Sequence, residues 1–206
     1  GLEMTYDYYL NAHSRNSIDG NGMLMLAYVH YDVDYFNAFW DGTRMTFGDG
    51  DNNNPLVALD IVGHELTHGV TENTAGLVYQ DEPGALNESF SDIFGTAVEF
   101  YATPGSADWL IGADIGTTLR SMSNPNAYGN PDTYGGTNWY TGTADNGGVH
   151  TNSGVQNHWY YRLCQGGTGT NDLGNAFNVT AIGIADARNI TYRSLSVYLG
   201  STSDYA

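Results

Sequence analysis

The chain has 206 residues, 41% of them hydrophobic, which is enough apolar material for one or two small cores and too much for a disordered chain. Its 23 acidic residues face only 6 basic ones, all arginine, and the net charge of −17 disfavours nucleic acid and anionic membrane surfaces while offering oxygen ligands to a hard cation such as calcium. No run approaches the roughly 18 apolar residues of a membrane span, and no basic-then-apolar leader opens the chain. The single cysteine, Cys164, excludes an internal disulfide, and its apolar helical setting makes it a small core residue.

Leu2, Tyr6, Tyr9 and Leu10 share one helical face, so a helix is predicted over 2–12, already under way where the chain begins. Ser17-Ile18-Asp19-Gly20-Asn21-Gly22 is a turn, 23–31 a strand-like run, and 37–42 with 44–47 a short hairpin. The polar loop 49–54 carries Asp49, Asp51 and Asn53 but lacks the glycine and terminal glutamate of a calcium loop.

Pro55 then opens a helix predicted over 56–73 that contains His64-Glu65-Leu66-Thr67-His68. Histidines four apart stack one turn apart and can share one metal ion, with Glu65 about 100° round the helix from His64 and able to hold a water. A second helix is predicted over 85–101, and there Glu88, Asp92 and Glu99 fall within about 40° of one another on the wheel. A His, His, Glu set with a fourth place left for water is a catalytic zinc shell, so His64, His68 and Glu88 are the expected zinc ligands. With the two helices antiparallel, Asp92 is placed to accept the free ring N–H of His64. Asp60 and Glu99 then meet at the far end, where facing carboxylates need a proton or a cation between them, and Asp108 in the following loop can join them.

From 104 to 152 the chain is rich in Gly, Asn, Thr, Tyr and Pro with little periodicity, as functional walls and lids often are. Helices are predicted over 155–164 and 178–199, the second tolerating Gly183 inside it, and Ser201 to Asp204 supply cap-type residues for a following helix. The fold class expected is α+β: residues 1–55 bring a helix, strands and an edge strand, and residues 56–206 bring the zinc helix and a mainly α-helical lobe. The chain reads as cut at both ends.

His64-Glu65-Leu66-Thr67-His68, Asn87-Glu88 with Ser91-Asp92, Asn37-Ala38-Phe39-Trp40, Leu119-Arg120-Ser121-Met122 and Asp145-Asn146-Gly147-Gly148-Val149-His150, in that fold context, resemble the thermolysin-like neutral metalloproteases over essentially the whole chain. The resemblance implies that His64, His68 and Glu88 bind zinc and that Glu65 is the general base toward the zinc-bound water. It implies that His150, oriented by Asp145, stabilises the oxyanion together with Tyr79. Asn37 and the Ala38 backbone would hold substrate as an added strand, Arg120 would grip the carbonyl on the leaving side, Asn87 would support a ligand and Trp40 would wall the cleft. Leu119, Ile61 and Ile111 would line an apolar pocket for the residue after the scissile bond.

The chain departs from the family in carrying only the end of its N-terminal β-rich lobe, in lacking its last helix, and in a shorter loop at 49–55. Leu110 and Ala113 stand where calcium-rich members carry carboxylates, so one structural calcium is expected at Asp60, Glu99, Asp108 and the Leu110 carbonyl. The expected protein is a secreted, monomeric zinc endopeptidase cutting on the amino side of hydrophobic residues, with peptide or protein substrates and its own prosegment as partners. Two other readings share the shell: a zinc aminopeptidase, and a zinc- and peptide-binding fragment with little turnover.

Overall fold

Two antiparallel helices packed almost backbone to backbone form the centre of the computed structural model, which describes residues 1–50 and 55–205. They are α2, Leu59–Glu72, and α3, Asp81–Ala102. Their closeness comes from glycine: a Cβ on Gly63 would lie 2.9 Å from the Gly95 Cα, and one on Gly95 would lie 2.3 Å from the Asp60 carbonyl oxygen and 3.2 Å from the His64 amide. Both helices are buried along nearly their whole length, so their polar residues must find partners within the protein.

The N-terminal part supplies one wall. Helix α1, Leu2–His13, lies against both central helices, with Tyr8 and Tyr9 fully buried in the larger core. Strands β1, Ala27–Tyr31, β2, Ala38–Trp40, and β3, Met45–Gly48, form a sheet in the order β1-β3-β2, with β1 parallel and β2 antiparallel to β3. The β2–β3 turn is closed by Asp41 Oδ1, which accepts the amides of Thr43 and Arg44 at 3.0 Å each, with Gly42 at φ +90°. Strand β2 is therefore an edge, and it packs against α2 with the Trp40 ring over Gly69. The strand-like run at 23–31 is ordered as strand only from Ala27; the polar loop expected at 49–54 lies largely at 51–54, outside the described residues.

The remaining elements are β4, Leu110–Ile111, paired with β5, Arg120–Ser121; α4, Asp145–Asn152; and α5, Gly154–Gln165. A hairpin follows, β6, Gly167–Thr170, with β7, Ala176–Val179, and then α6, Gly183–Arg193, ends in a π-helical turn over Ser194–Tyr198. A smaller core of Ile93, Ile111, Met122, Tyr160, Cys164 and Ala187 lies under this half, with Cys164 buried as expected.

The structure corrects the prediction of one helix over 178–199. Asn178 lies in a strand, and Gly183 begins the helix at φ +78°, a conformation that an interior helical residue does not adopt. Helix α3 also starts earlier than predicted, because Pro83 sits in its first turn, where no amide partner is required. The mixed architecture, with a mainly helical second half, is the α+β class expected. Among the described residues no helix is long and apolar enough to cross a membrane.

Candidate active site

Helix α2 turns His64 and His68 toward α3, and Glu88 rises from α3 to meet them. Their ligating atoms lie within 4.8 Å of one another: His64 Nε2 is 3.4 Å from Glu88 Oε2, and His68 Nε2 is 3.3 Å from Glu88 Oε1. The outer ring nitrogens are tied down behind. Nδ1 of His64 donates to Asp92 Oδ1 at 2.9 Å. Asn87 donates through Nδ2 to the Leu77 carbonyl, so its Oδ1 faces His68 and accepts from Nδ1 at 2.8 Å. Both Nε2 lone pairs then point at each other across 3.0 Å, beside a fully buried Glu88 whose Oε2 has no hydrogen bond.

Such an arrangement requires positive charge between the three side chains. Without a metal a proton takes that place: burial lowers the His64 pKa, but Glu88 and Asp92 outweigh it and raise it to about 10. Burial by itself would raise Glu88, yet the two imidazoles hold its carboxyl well below the usual range. The donor set, two imidazole nitrogens and a carboxylate on fixed supports, fits a zinc-sized divalent ion.

Glu65 follows His64 on α2, 5% exposed, with Oε2 unpartnered and its pKa raised by burial. Across the cleft the Tyr79 hydroxyl donates to Glu88 Oε1 and lies 3.4 Å from His150 Nε2. His150 is aimed by Asp145, whose carboxylate accepts Nδ1–H at 2.7 Å and the His150 amide at 3.0 Å. Asp145, Asn146, Gly147 and Gly148 all have positive φ, so the chain makes a left-handed turn directly before the helical residues that carry His150.

The three groups open into a cleft of ≈ 580 Å³ whose lining includes Asn37, Ala38 and Trp40 on one wall and Ile61, Ile111, Leu119 and Arg120 at one end. Arg120 reaches the cleft, but its Nε and Nη2 are both spent on Asp92, at 2.7 Å each. Asp92 also accepts from Asn157 Nδ2 at 2.7 Å, so four donors satisfy a carboxylate with no exposure. Asn157 on α5 escaped the sequence reading, since a lone Asn in an apolar helical stretch carries no spacing signal. At the far end of the helix pair, Asp60, Glu99 and Leu110 line a second, small cavity together with Asp114, which the sequence reading did not single out. Asp60 accepts from the Gly112 and Ile61 amides, and Asp108 turns its carboxylate to the Leu110 amide at 2.7 Å.

Comparison with known proteins places this geometry. The family models of the thermolysin metallopeptidase catalytic domain and of its alpha-helical domain match residues 1–72 and 75–206. The chain belongs to the thermolysin metallopeptidase family. It is 50% identical to a bacillolysin of Brevibacillus brevis over 99% of this chain and 38% of that protein, and 51% identical to a thermolysin of Alicyclobacillus acidocaldarius over 98% of this chain and 37% of that one. Among solved structures it is similar to the precursor of protealysin, a metalloproteinase from Serratia proteamaculans, with a TM-score of 0.82 and 37% identity over 99% of this chain and 66% of that one. The chain thus spans under two-fifths of the length of these curated relatives. Membership of the thermolysin family implies a catalytic zinc, and His64, His68 and Glu88 are a group able to hold one.

Proposed function

We propose that the protein is a zinc endopeptidase that hydrolyses peptide bonds on the amino side of hydrophobic residues. The observation that carries this reading is the convergence of His64, His68 and Glu88 beside a buried, half-unpartnered Glu65, with His150 and Tyr79 facing them across one cleft. The preference for an apolar residue after the scissile bond is supported by Ile61, Ile111 and Leu119 at one end of that cleft. When bound, zinc supplies Lewis acidity that acidifies water and polarises the substrate carbonyl. The Ala38 backbone, on the edge strand β2, and Asn37 just before it, whose carbonyl is taken by the Gly48 amide at 3.0 Å and whose side chain is left for substrate, hold the substrate main chain over α2. Glu65 takes a proton from the attacking water as its oxygen bonds to the carbonyl carbon, and delivers that proton to the amine nitrogen as the C–N bond breaks. His150, aimed by Asp145, and Tyr79 stabilise the charge developing on the carbonyl oxygen, while Arg120 and Trp40 bound the substrate on either side.

Zinc content measured beside hydrolysis of an N-blocked oligopeptide tests the reading. Glu65→Gln is expected to retain one zinc and to lose turnover; cleavage near the parent rate would remove Glu65 from the role of base. A requirement for a free amino terminus would replace the endopeptidase by an aminopeptidase, and full zinc with no cleavage would leave a binding fragment.

One calcium is proposed at Asp60, Glu99, Asp108 and the Leu110 carbonyl, supported by the small acidic cavity that three of these residues line. Thermal stability unchanged by calcium would rule it out. Secretion is proposed because a relative from Pectobacterium carotovorum, 52% identical over 60% of this chain, is an extracellular metalloprotease. Likeness to a precursor form supports a prosegment as a partner of the monomer, alongside peptide or protein substrates.

A further inference from the structure

The cleft has a second end. Opposite Ile61, Ile111 and Leu119 it is lined by Trp40, Gly42 and Glu72. Glu72 lies at the end of α2, one turn beyond His68, so the stripe that runs through His64 and His68 continues into a carboxylate. Its place is fixed: the Trp40 indole lies against Gly69, where a Cβ would come 3.1 Å from the ring, and its Nε1 donates to Glu72 Oε2 at 2.7 Å. The other oxygen, Oε1, lies on the Gly42 side, where a Cβ would stand in ordinary contact at 3.9 Å, and Glu72 is exposed. The neighbouring carboxylate, Asp41, is spent on its own turn and on Arg44 Nε at 3.1 Å. Among the described residues Glu72 is therefore the acidic group left to face a ligand at this end.

Direction decides which part of a substrate arrives there. If the residue after the scissile bond occupies the apolar end, the residues before it run toward Trp40, antiparallel to β2. Glu72 is seven residues beyond Glu65, about 10 Å along the helix at 1.5 Å per residue, a span that an extended peptide covers in roughly three residues at 3.3 Å each. The geometry points to Glu72 as a specificity-determining residue that accepts a cation two or three residues on the amino side of the scissile bond. This rests on the endopeptidase reading of the cleft. The cation can be a Lys or Arg side chain or the terminal amine of a short peptide.

Three N-blocked peptides differing only at the third residue before the scissile bond, with Arg, citrulline or Glu there, separate charge from size, and an unblocked citrulline peptide starting at that residue isolates the terminal amine. The Arg peptide is expected to be cleaved with a kcat/KM about three- to fivefold above citrulline at low salt, as for a partly exposed ion pair, with the Glu peptide below both. Glu72→Gln, which keeps an acceptor for Trp40, is expected to bring the Arg-to-citrulline ratio close to one. Fluorescence polarisation of the same peptides with a non-hydrolysable ketomethylene at the scissile position reads the preference without turnover. Equal binding of the blocked Arg, blocked citrulline and unblocked citrulline forms by the parent protein, or a preference that survives Glu72→Gln, would overturn the assignment. Preference without cleavage would instead count against the endopeptidase reading alone, and an advantage confined to the unblocked peptide would assign the site to the amine.

Discussion

His150 is held by a carboxylate that is itself part of a left-handed turn, so its imidazole is positioned by backbone as much as by hydrogen bonding. Replacing His150 by alanine is expected to lower kcat/KM by about 10²–10³, the usual cost of one oxyanion donor, with zinc content unchanged; loss of zinc measured by atomic absorption would show instead that the residue serves the metal. The residues around it divide by how they were legible. His64, His68 and Glu88 stood out because metal chemistry demands those types at helical spacing, and Asp92 followed from the same wheel. Asn157 and Asp114 did not, because each meets the site from an element whose position depends on the whole fold. Arg120, which the family resemblance turns toward substrate, lines the cleft while two of its three nitrogens are bound to Asp92, a bond no spacing in the sequence announces.

The helix pair was legible as an element because a polar stripe on an apolar helix needs a partner stripe, and two such stripes fix each other's register. The hairpin of β6 and β7 was not: Gly167-Thr168-Gly169-Thr170 has no apolar face, every residue of β6 is exposed, and the period-2 signal is absent. Its trace in the sequence was the turn Asn171-Asp172-Leu173-Gly174, whose Asn171 side chain accepts the amides of Leu173 and Asn175. The same pair of central helices carries a packing prediction. Gly95→Ala would drive a methyl into the Asp60 carbonyl, and it is expected to lower the unfolding free energy by about 1–3 kcal/mol in denaturant titration with zinc present. A variant as stable as the parent would mean that α2 and α3 can separate freely.

At the scale of the whole molecule, an excess of carboxylates makes stability depend on pH and on cations together. Burial first, then Asp60, Asp108 and Asp114, push the Glu99 pKa up to about 8, from 4.5 in the unfolded chain. The folded state therefore holds a proton that the unfolded state has released, and the Glu99 contribution is complete below pH 4.5 and lost as pH rises through about 8. With zinc present and calcium chelated, the parent's thermal midpoint is expected to fall across this window more steeply than that of Glu99→Gln; parallel curves would exclude the effect. The acidic cavity at one end of the helix pair and the zinc cradle near its middle flank the point where the helices touch glycine to glycine, so neither can change its spacing without moving the other. If the proposed calcium binds there, the two cations are expected to be thermodynamically linked. Calcium at saturation should tighten zinc binding, zinc should tighten calcium by the same factor, and measuring one affinity with and without the other ion reads that reciprocity directly.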